Sequence, residues 1–313
     1  MGLLTLATAN ASLGIAPHIG GSIVSFDIGG VPILRPTSDA TLAANDVHGV
    51  ACYPLVPYSN RIRDARLHFA GRTFALARNF GEHPHAIHGV GWQREWTVAE
   101  ASPSHARLAL VHDALGENMR AWPWPFEATE TFHLAPGSSR VSAILIAALT
   151  IANTGNEPFP FGLGFHPFYA RSAATSLRFH AKRVWENDAT QIPRSLVALP
   201  PSWRFQRGRT LDDIALDNVF VGWDRTATIV DKSRDRSVRI DVDPSLAFAV
   251  VYAPPAADFV AFEPVTHETD AFNRSAVGAS GTGMRILAPG TAFSCTMRVA
   301  AAVAAEAHPD TSS

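Results

Sequence analysis

A carboxylate late in the chain, Glu263, has the strongest sequence signal for acid–base chemistry. It lies in Ala261–Asn273 (A-F-E-P-V-T-H-E-T-D-A-F-N), after two apolar segments typical of strands, Leu246–Tyr252 and Phe259–Phe262. We expect a strand to end at Glu263, because the proline that follows cannot extend a ladder. Burial between its apolar neighbours would raise the pKa of this carboxyl and make it a better base. The alternative is a surface glutamate beside a turn.

His166 is the second candidate acid or base. It lies in Phe161–Tyr169 (F-G-L-G-F-H-P-F-Y), where the only other polar side-chain group is the Tyr169 hydroxyl. An imidazole in such surroundings is either a satisfied core histidine or an acid–base group whose pKa is tuned by its environment.

Three histidines fall within His83–Trp92 (H-P-H-A-I-H-G-V-G-W). Pro84 and the uneven offset to His88 disrupt a regular ligand face, and the chain has no H-E-x-x-H or Cys/His zinc motif, so we predict no metal. His88, followed by Gly89 and Gly91, is expected to act as a donor in a cleft, because glycines permit close backbone approach. A core histidine is the alternative.

Arg61 and Asp217 are candidates for holding a ligand. Arg61 closes the proline-marked segment Tyr53–Ile62, and its fork of donors suits sugar hydroxyls or a carboxylate. Asp217 lies in Leu211–Trp223, just before an apolar strand. An ordinary surface arginine and a turn aspartate are the alternatives.

The tryptophans of Trp122–Phe126 (W-P-W-P-F) could stack on the apolar face of a sugar ring or close the core. Core packing is the expected use of at least one of them.

Composition excludes several classes of function. The formal net charge of the 313-residue chain is −2, so no basic excess exists to hold a nucleic acid. No apolar run approaches the ~18 residues of a membrane span. No Lys or Arg precedes Arg35, which argues against a signal peptide.

Cys52 and Cys295 are too few for a disulfide framework. We expect two buried thiols in a reducing cytoplasm, although a single bridge would also fit.

The pattern of short apolar runs predicts an all-β fold. The chain has 22 Gly and 22 Pro, and strand signals lie between them. Ser237–Asp243 alternates cleanly, Arg66–Leu76 resembles a hairpin, and Val141–Ala152 is a buried strand. Phe126–Leu134 alternates with one exception, Glu130 on its apolar face. Many closely spaced strands indicate a sandwich or barrel.

Helical periodicity is confined to Asp39–Asn45 and the alanine-rich Val299–Ala307. No linker divides the chain, so we predict one domain over residues 1–303 and a flexible tail over 304–313.

Taken together, the polar segments resemble the aldose 1-epimerase (galactose mutarotase) family, and the likeness covers nearly the whole chain. The matching motifs occur in the family's order: N-R-I at Asn60–Ile62, H-G-V-G-W at His88–Trp92, G-F-H-P-F at Gly164–Phe168, L-D-N-V-F at Leu216–Phe220, and F-E-P-V-T-H-E-T-D-A-F-N at Phe262–Asn273.

The resemblance implies a large antiparallel β-sandwich of the galactose mutarotase-like supersandwich type, with no cofactor and a cleft for a monosaccharide. By this resemblance Glu263 is the general base and His166 the general acid. Arg61, His88 and Asp217 bind and orient substrate hydroxyls.

Two departures from the family leave the preferred sugar open. Family members often carry a proline where this chain has His267-Glu268-Thr269, and His166 is followed by Pro-Phe-Tyr rather than Pro-Tyr-Phe.

The implied reaction interconverts the α and β anomers of a hexose. A base takes the proton of the C1 hydroxyl while an acid protonates the ring oxygen, and the open chain recloses on the other face of the carbonyl. For this task we expect an ionised Glu263 and a protonated His166, each favouring the charge of the other.

Three other functions fit parts of the sequence. A sugar-phosphate epimerase would need further cations, for which Arg63 and Arg66 are candidates. A carbohydrate-binding protein without turnover would not need both Glu263 and His166. A glycosidase would use two carboxylates, such as Asp217 and Glu263, at roughly 5–9.5 Å.

Overall fold

The computed structural model describes residues 2–138 and 141–304, about half of which form antiparallel strands. In chain order the strands are β1 (Leu4–Ala7), β2 (Ala11–Ala16), β3 (Ser22–Ile28), β4 (Val31–Pro32), β5 (Cys52–Leu55), β6 (Arg61–Ile62), β7 (Arg66–Phe69), β8 (Arg72–Ala75), β9 (Ala86–Ile87), β10 (Thr97–Ala101), β11 (His105–His112), β12 (Phe126–Ser138), β13 (Val141–Asn153), β14 (Phe159–Phe161), β15 (Gly164–Ala170), β16 (Thr175–Phe179), β17 (Arg183–Asn187), β18 (Pro193–Ala198), β19 (Arg209–Thr210), β20 (Leu216–Val221), β21 (Thr226–Asp231), β22 (Arg236–Val242), β23 (Phe248–Ala253), β24 (Phe259–Val265), β25 (Arg285–Leu287) and β26 (Ala292–Val303). The α-helices of the described residues are short: α1 (Asp39–Ala44), α2 (Asn118–Ala121) and α3 (Ala271–Ala276).

Two large sheets dominate the described residues. One has eleven strands in the order β1-β2-β3-β5-β15-β24-β23-β20-β17-β18, with β4 attached to β3. The other has nine strands in the order β10-β11-β12-β13-β26-β22-β21-β16-β19. Buried side chains of both sheets, such as Phe26 from the first and Phe132 from the second, pack into one core. The protein is a large antiparallel β-sandwich, which confirms the predicted fold class.

Several predicted elements are confirmed. The hairpin is β7–β8, and its turn residues Ala70 and Gly71 have φ values of 49° and 73°. Strands β13 and β22 occupy the predicted segments, and the helix predicted at Asp39–Asn45 is α1. Ser38 caps α1 by accepting a hydrogen bond from the Thr41 N–H.

The helix predicted at Val299–Ala307 is wrong, because β26 continues to Val303. This strand lies between β13 and β22, and its ladder pairs Ala300 with both Ile144 and Arg239. Pairing on two sides outweighs the helix propensity of alanine. From residue 305 onwards the predicted helix and the predicted tail lie outside the described residues.

The expected end of a strand at Glu263 is also wrong, since β24 includes Pro264 and ends at Val265. Strand β24 pairs with β23 on one side and with β15 on the other. The β15–β24 ladder pairs Gly164 with Val265 and Phe168 with Ala261, and it is interrupted between these two pairs. A proline has no N–H to donate, so it is tolerated where one side of the ladder is interrupted.

Trp122 and Trp124 lie in the core, where they are 0% and 5% exposed. The indole of Trp124 stacks on Phe159 at 5.9 Å. Both tryptophans therefore have the core use that we expected of at least one.

The two cysteines are unpaired and buried, as predicted. No helix in residues 2–138 and 141–304 has the length and apolar character needed to span a membrane.

Glu130 is buried in the sandwich on the apolar face of β12, and its Oε2 atom makes no hydrogen bond. Burial raises its pKa well above the ordinary value of 4.5. The folded state therefore binds more protons than the unfolded chain above pH 4.5, so stability is lost as the pH rises.

We expect Glu130→Gln to reduce the loss of unfolding free energy between pH 5 and pH 8 by about 1–3 kcal/mol. Urea denaturation at both pH values measures this change. Glu127→Gln, on the exposed face of the same strand, is the matched control. If the free energy of unfolding depends on pH equally in the Glu130 variant and the parent, Glu130 is not the group whose titration destabilises the fold.

Candidate active site

The site lies on the outer face of the eleven-stranded sheet. Five neighbouring strands, in the order β5-β15-β24-β23-β20, contribute Tyr53, His166, Glu263, Tyr252 and Asp217 in turn, and β15 and β24 each add a phenylalanine, Phe168 and Phe259. Because successive residues of a strand point to opposite faces, the residues beside these side chains enter the core. Phe165 beside His166 and Phe262 beside Glu263 are both buried there.

The cleft has a volume of about 280 Å³. All five site residues predicted from the sequence line it, together with further residues; the complete lining is Arg35, His48, Tyr53, Asn60, Arg61, Phe80, Ile87, His88, His166, Phe168, Asp217, Tyr252, Phe259 and Glu263.

The carboxylate of Glu263 and the imidazole of His166 are in direct contact. Glu263 Oε1 lies 3.2 Å from His166 Nε2, and the two side chains are 3% and 7% exposed. Residues separated by almost a hundred positions are thus close enough to exchange a proton.

Burial raises the pKa of Glu263 well above its ordinary value, and nearby Asp217 adds to the effect. Burial also lowers the pKa of His166 from 6.5 to about 3. Both shifts favour the neutral form, so the pair rests as a carboxylic acid beside a neutral imidazole. This corrects the expectation of an ionised Glu263 and a protonated His166, in which attraction between the charges outweighed their desolvation.

Two aromatic rings cover the imidazole of His166. The ring centroid of Tyr53 lies 4.5 Å from that of His166, and the Phe168 centroid lies 4.4 Å from it. These contacts remove water from the imidazole, which is the physical cause of its depressed pKa.

Arg61 and Asp217 form an ion pair at one side of the cleft. Arg61 Nη2 donates to Asp217 Oδ2 at 3.0 Å, and Nη1 donates to Asn60 Oδ1 at 3.0 Å. Both side chains remain partly exposed, at 12% for Arg61 and 24% for Asp217. The pair therefore presents an oriented donor and an oriented acceptor to a ligand.

His88 is held as a neutral hydrogen-bond donor. Its Nδ1 accepts from the Asn60 N–H at 3.1 Å, which places the proton of the neutral ring on Nε2. Burial lowers its pKa well below 6.5. The close backbone approach predicted for the adjacent glycine is present, because a Cβ on Gly89 would lie 2.3 Å from the Val56 carbonyl oxygen.

His267 supports the segment that carries Arg61. Its Nε2 accepts from the Ser59 N–H at 3.1 Å, and its Nδ1 lies 2.7 Å from the Glu268 carbonyl oxygen. The ring is fully enclosed: a Cβ on Gly162 would lie 1.7 Å from it. His267 thus links the motif Phe262–Asn273 to the loop that begins at Ser59.

The other two clustered histidines, His83 and His85, do not line the cleft. His85 Nδ1 accepts from the Asp64 N–H at 2.9 Å, so it serves the local backbone. Within the described residues, no group of three or more His, Cys, Asp or Glu side chains could hold a metal ion.

Sequence reasoning missed several cleft residues. Tyr53 is directly opposite His166 in the β5–β15 register, which the sequence does not reveal. Phe168 had a usable signal, because it lies two residues after His166 and must share its strand face. Arg35 had none, since it reaches the cleft from a connection far earlier in the chain.

The fold and this cleft together define a galactose mutarotase-like β-sandwich. The chain belongs to the aldose 1-epimerase family, whose model matches residues 2–300.

Relatives of known sequence and structure agree with this placement. The uncharacterised protein YphB of Escherichia coli K12 is 27% identical over 305 residues, covering 95% of this chain and 98% of YphB. A candidate aldose 1-epimerase of E. coli K12 has a crystal structure with a TM-score of 0.85 and 24% identity, covering 97% and 99% of the two chains. A galactose mutarotase-like protein of Clostridium acetobutylicum gives a TM-score of 0.82 and 17% identity, covering 96% of this chain and 95% of that protein. The two solved structures support the fold.

The protonation of His267 gives a prediction for stability. Burial lowers its pKa from 6.5 to about 4, so the unfolded chain binds more protons than the folded protein within this window. The free energy of unfolding should therefore fall as the pH drops from 6.5 towards 4, with a contribution from His267 of about 3 kcal/mol.

We expect His267→Gln, which retains an acceptor for Ser59, to show a correspondingly smaller loss in denaturation series across this window. The same change at the exposed His133 is the control. If the parent and His267→Gln lose stability equally, His267 is not the group that titrates.

Proposed function

We propose that the protein is an aldose 1-epimerase that interconverts the α and β anomers of a hexose, with Glu263 as general base and His166 as general acid. The main support is the 3.2 Å contact between these two groups inside a cleft of about 280 Å³. This volume lies just below the range of roughly 300–1,000 Å³ for ligand pockets, as expected for a ligand as small as a monosaccharide.

The chemistry requires an acid and a base that are neighbours. The C1 hydroxyl oxygen and the ring oxygen of an aldose are bonded to the same carbon. Groups that serve these two oxygens must therefore lie within a few ångströms of each other, as Glu263 and His166 do.

In the proposed reaction the Glu263 carboxylate takes the proton of the C1 hydroxyl, while the His166 imidazolium gives its proton to the ring oxygen. The C1–O5 bond breaks and an aldehyde forms at C1. After rotation about C1–C2, the C5 hydroxyl attacks the other face of the aldehyde, and both protons return along the same paths.

The protonation states of the pair suit this cycle. Ring opening begins with a carboxylate and an imidazolium and ends with a carboxylic acid and a neutral imidazole. Both states hold one proton and no net charge, so a proton shift across the 3.2 Å contact interconverts them. Burial favours the neutral state, which is the state that accompanies the open-chain sugar.

Arg61, His88 and Asp217 would bind and orient the sugar. Asp217 offers a carboxylate acceptor, and the neutral His88 offers its Nε2–H as a donor. The Arg61–Asp217 ion pair holds both side chains in place before a ligand arrives, which lowers the entropy cost of binding.

A cytoplasmic location is part of this proposal. Two free thiols are compatible with a reducing compartment.

The direct test is polarimetry on freshly dissolved α-glucose and α-galactose. We expect Glu263→Gln to lower kcat by about 10²–10⁴-fold, because the amide cannot accept the C1 proton. Glu127→Gln on the opposite sheet is the matched control. A Glu263 variant as fast as the parent would remove Glu263 from the mechanism, and sugar binding without faster anomer exchange in the parent would favour a binding protein.

The pH profile tests the assignment of His166. A second proton on the pair stops the reaction, and its pKa is that of His166, about 3. We therefore expect kcat/KM to show no acid limb near pH 6.5 and to decline only as the pH approaches 3 or as the fold is lost. The alkaline limb, where the shared proton leaves, should lie above the ordinary glutamate value of 4.5. An acid limb at pH 6.5 that circular dichroism does not explain by unfolding would contradict the assignment.

A further inference from the structure

The cleft contains one arginine whose charge no carboxylate neutralises directly. Arg61 is paired with Asp217, and Glu263 contacts His166. Arg35 also lines the cleft, but in the described part of the chain it forms no ion pair. Asp258 and Asp46 lie close enough to influence its pKa, yet neither contacts its guanidinium.

Arg35 is rigidly held. Its Nη2 donates to the carbonyl oxygens of His48 and Val50. Its guanidinium carbon lies 4.1 Å from the ring centroid of Phe168 and 4.7 Å from that of Phe259. Nη2 is occupied by the backbone, and two aromatic rings pack against the guanidinium. Among the described residues, Nε and Nη1 have no protein partner; Nε is buried, so Nη1 is the donor that a ligand can reach. A charged donor fixed in advance binds an anion with little loss of side-chain entropy.

Arg35 lies close to His166, the proposed general acid, at what we call the acid end of the cleft. Phe168, on which it stacks, also packs against His166 with ring centroids 4.4 Å apart. Burial is the main cause that lowers the pKa of His166, and the positive charges of Arg35 and Arg61 both add to it, whereas Arg35 is not among the influences on Glu263. The contacts of Phe168 thus place Arg35 beside His166. Asp217, which pairs with Arg61, comes from β20, on the far side of the Glu263 strand β24 from the His166 strand β15.

This order places Arg35 near one carbon of the substrate. If His166 serves the ring oxygen, as in the function proposed above, C5 is bonded to that oxygen and C6 is bonded to C5. The substituent at C6 is then the part of the sugar nearest to the acid end, apart from the reacting atoms themselves.

We propose that Arg35 binds a carboxylate at C6 of the substrate, so that the cleft prefers hexuronates to neutral hexoses. This inference rests on the proposed anomer chemistry and specifies its substrate class. A single unpaired cation matches a singly charged carboxylate. A phosphate would bring about −1.5 to −2 charge, more than the single positive charge of Arg35 can balance. Arg63 and Arg66, the phosphate-binding cations considered from the sequence, do not line the cleft.

The test compares sugars that differ only at C6. We would measure kcat/KM by polarimetry at pH 7 for D-galacturonate against D-galactose and for D-glucuronate against D-glucose, after subtracting the uncatalysed rate. A charge-assisted hydrogen bond predicts a preference of about tenfold to a hundredfold for the uronate in at least one pair. The preference should shrink as salt is added, because Arg35 is partly exposed.

The variant Arg35→Gln tests the residue itself. The readout is the uronate-to-hexose ratio of kcat/KM, which should fall to near one. A purely structural role for Arg35 would lower both rates and leave the ratio unchanged. The control is Arg63→Gln, whose side chain is paired with Asp188 and Asp270 outside the cleft and should not alter the ratio.

Equal kcat/KM for uronate and hexose in the parent, or an unchanged ratio in Arg35→Gln, would overturn the proposal while leaving anomer catalysis intact. Faster turnover of D-glucose 6-phosphate than of either uronate would overturn the carboxylate assignment in favour of a phosphate. If no sugar is turned over, the proposed function fails instead. In that case the ratio of the calorimetric Kd values for D-galacturonate and D-galactose, compared between the parent and Arg35→Gln, decides the role of Arg35.

Discussion

The chemistry of the site depends on the removal of water from one carboxyl–imidazole contact. In water, with ordinary pKa values of 4.5 for glutamate and 6.5 for histidine, a carboxylate and an imidazolium would coexist between these two pH values. Between Tyr53 and Phe168, and beneath the other walls of the cleft, charge on either group is costly, and the pair holds its single proton in the neutral arrangement. Because the two arrangements differ only by a proton shift, the protein can keep both accessible without binding or releasing a proton to solvent.

The sandwich fixes this contact through the two-residue period of its strands. On β15 and β24 the same alternation that buries Phe165 and Phe262 in the core directs His166 and Glu263 outward. A shift of one residue in either strand would exchange these faces, so the register of the core and the geometry of the cleft are specified together. The geometry of the Glu263–His166 contact is therefore supported by the hydrophobic interior rather than by a flexible loop.

Much of the fold and of the site could be predicted from local sequence, and the failures have clear physical causes. Hairpin β7–β8 follows from alternation and turn residues, and the five candidate site residues that line the cleft follow from their motifs. The helix expected at Val299–Ala307 failed because pairing on both sides decides the conformation of an alanine-rich segment. The predicted charges of Glu263 and His166 were wrong because burial of the two groups depends on aromatic rings from other strands. The ring of Tyr53, which lies opposite His166 in the β5–β15 register, is one of them. Arg35 was missed for the same reason, since its position in the cleft depends entirely on tertiary contacts.

The two buried thiols have a practical consequence. Cys52 belongs to one sheet and Cys295 to the other, and both side chains point into the shared interior. Burial raises the pKa of each thiol well above its ordinary value, so the closed sandwich holds almost no reactive thiolate. Each thiol should therefore be alkylated only after the sandwich opens around it. Mass-spectrometric mapping of the two labelled peptides would then measure the rate of opening of each sheet separately, without an engineered probe.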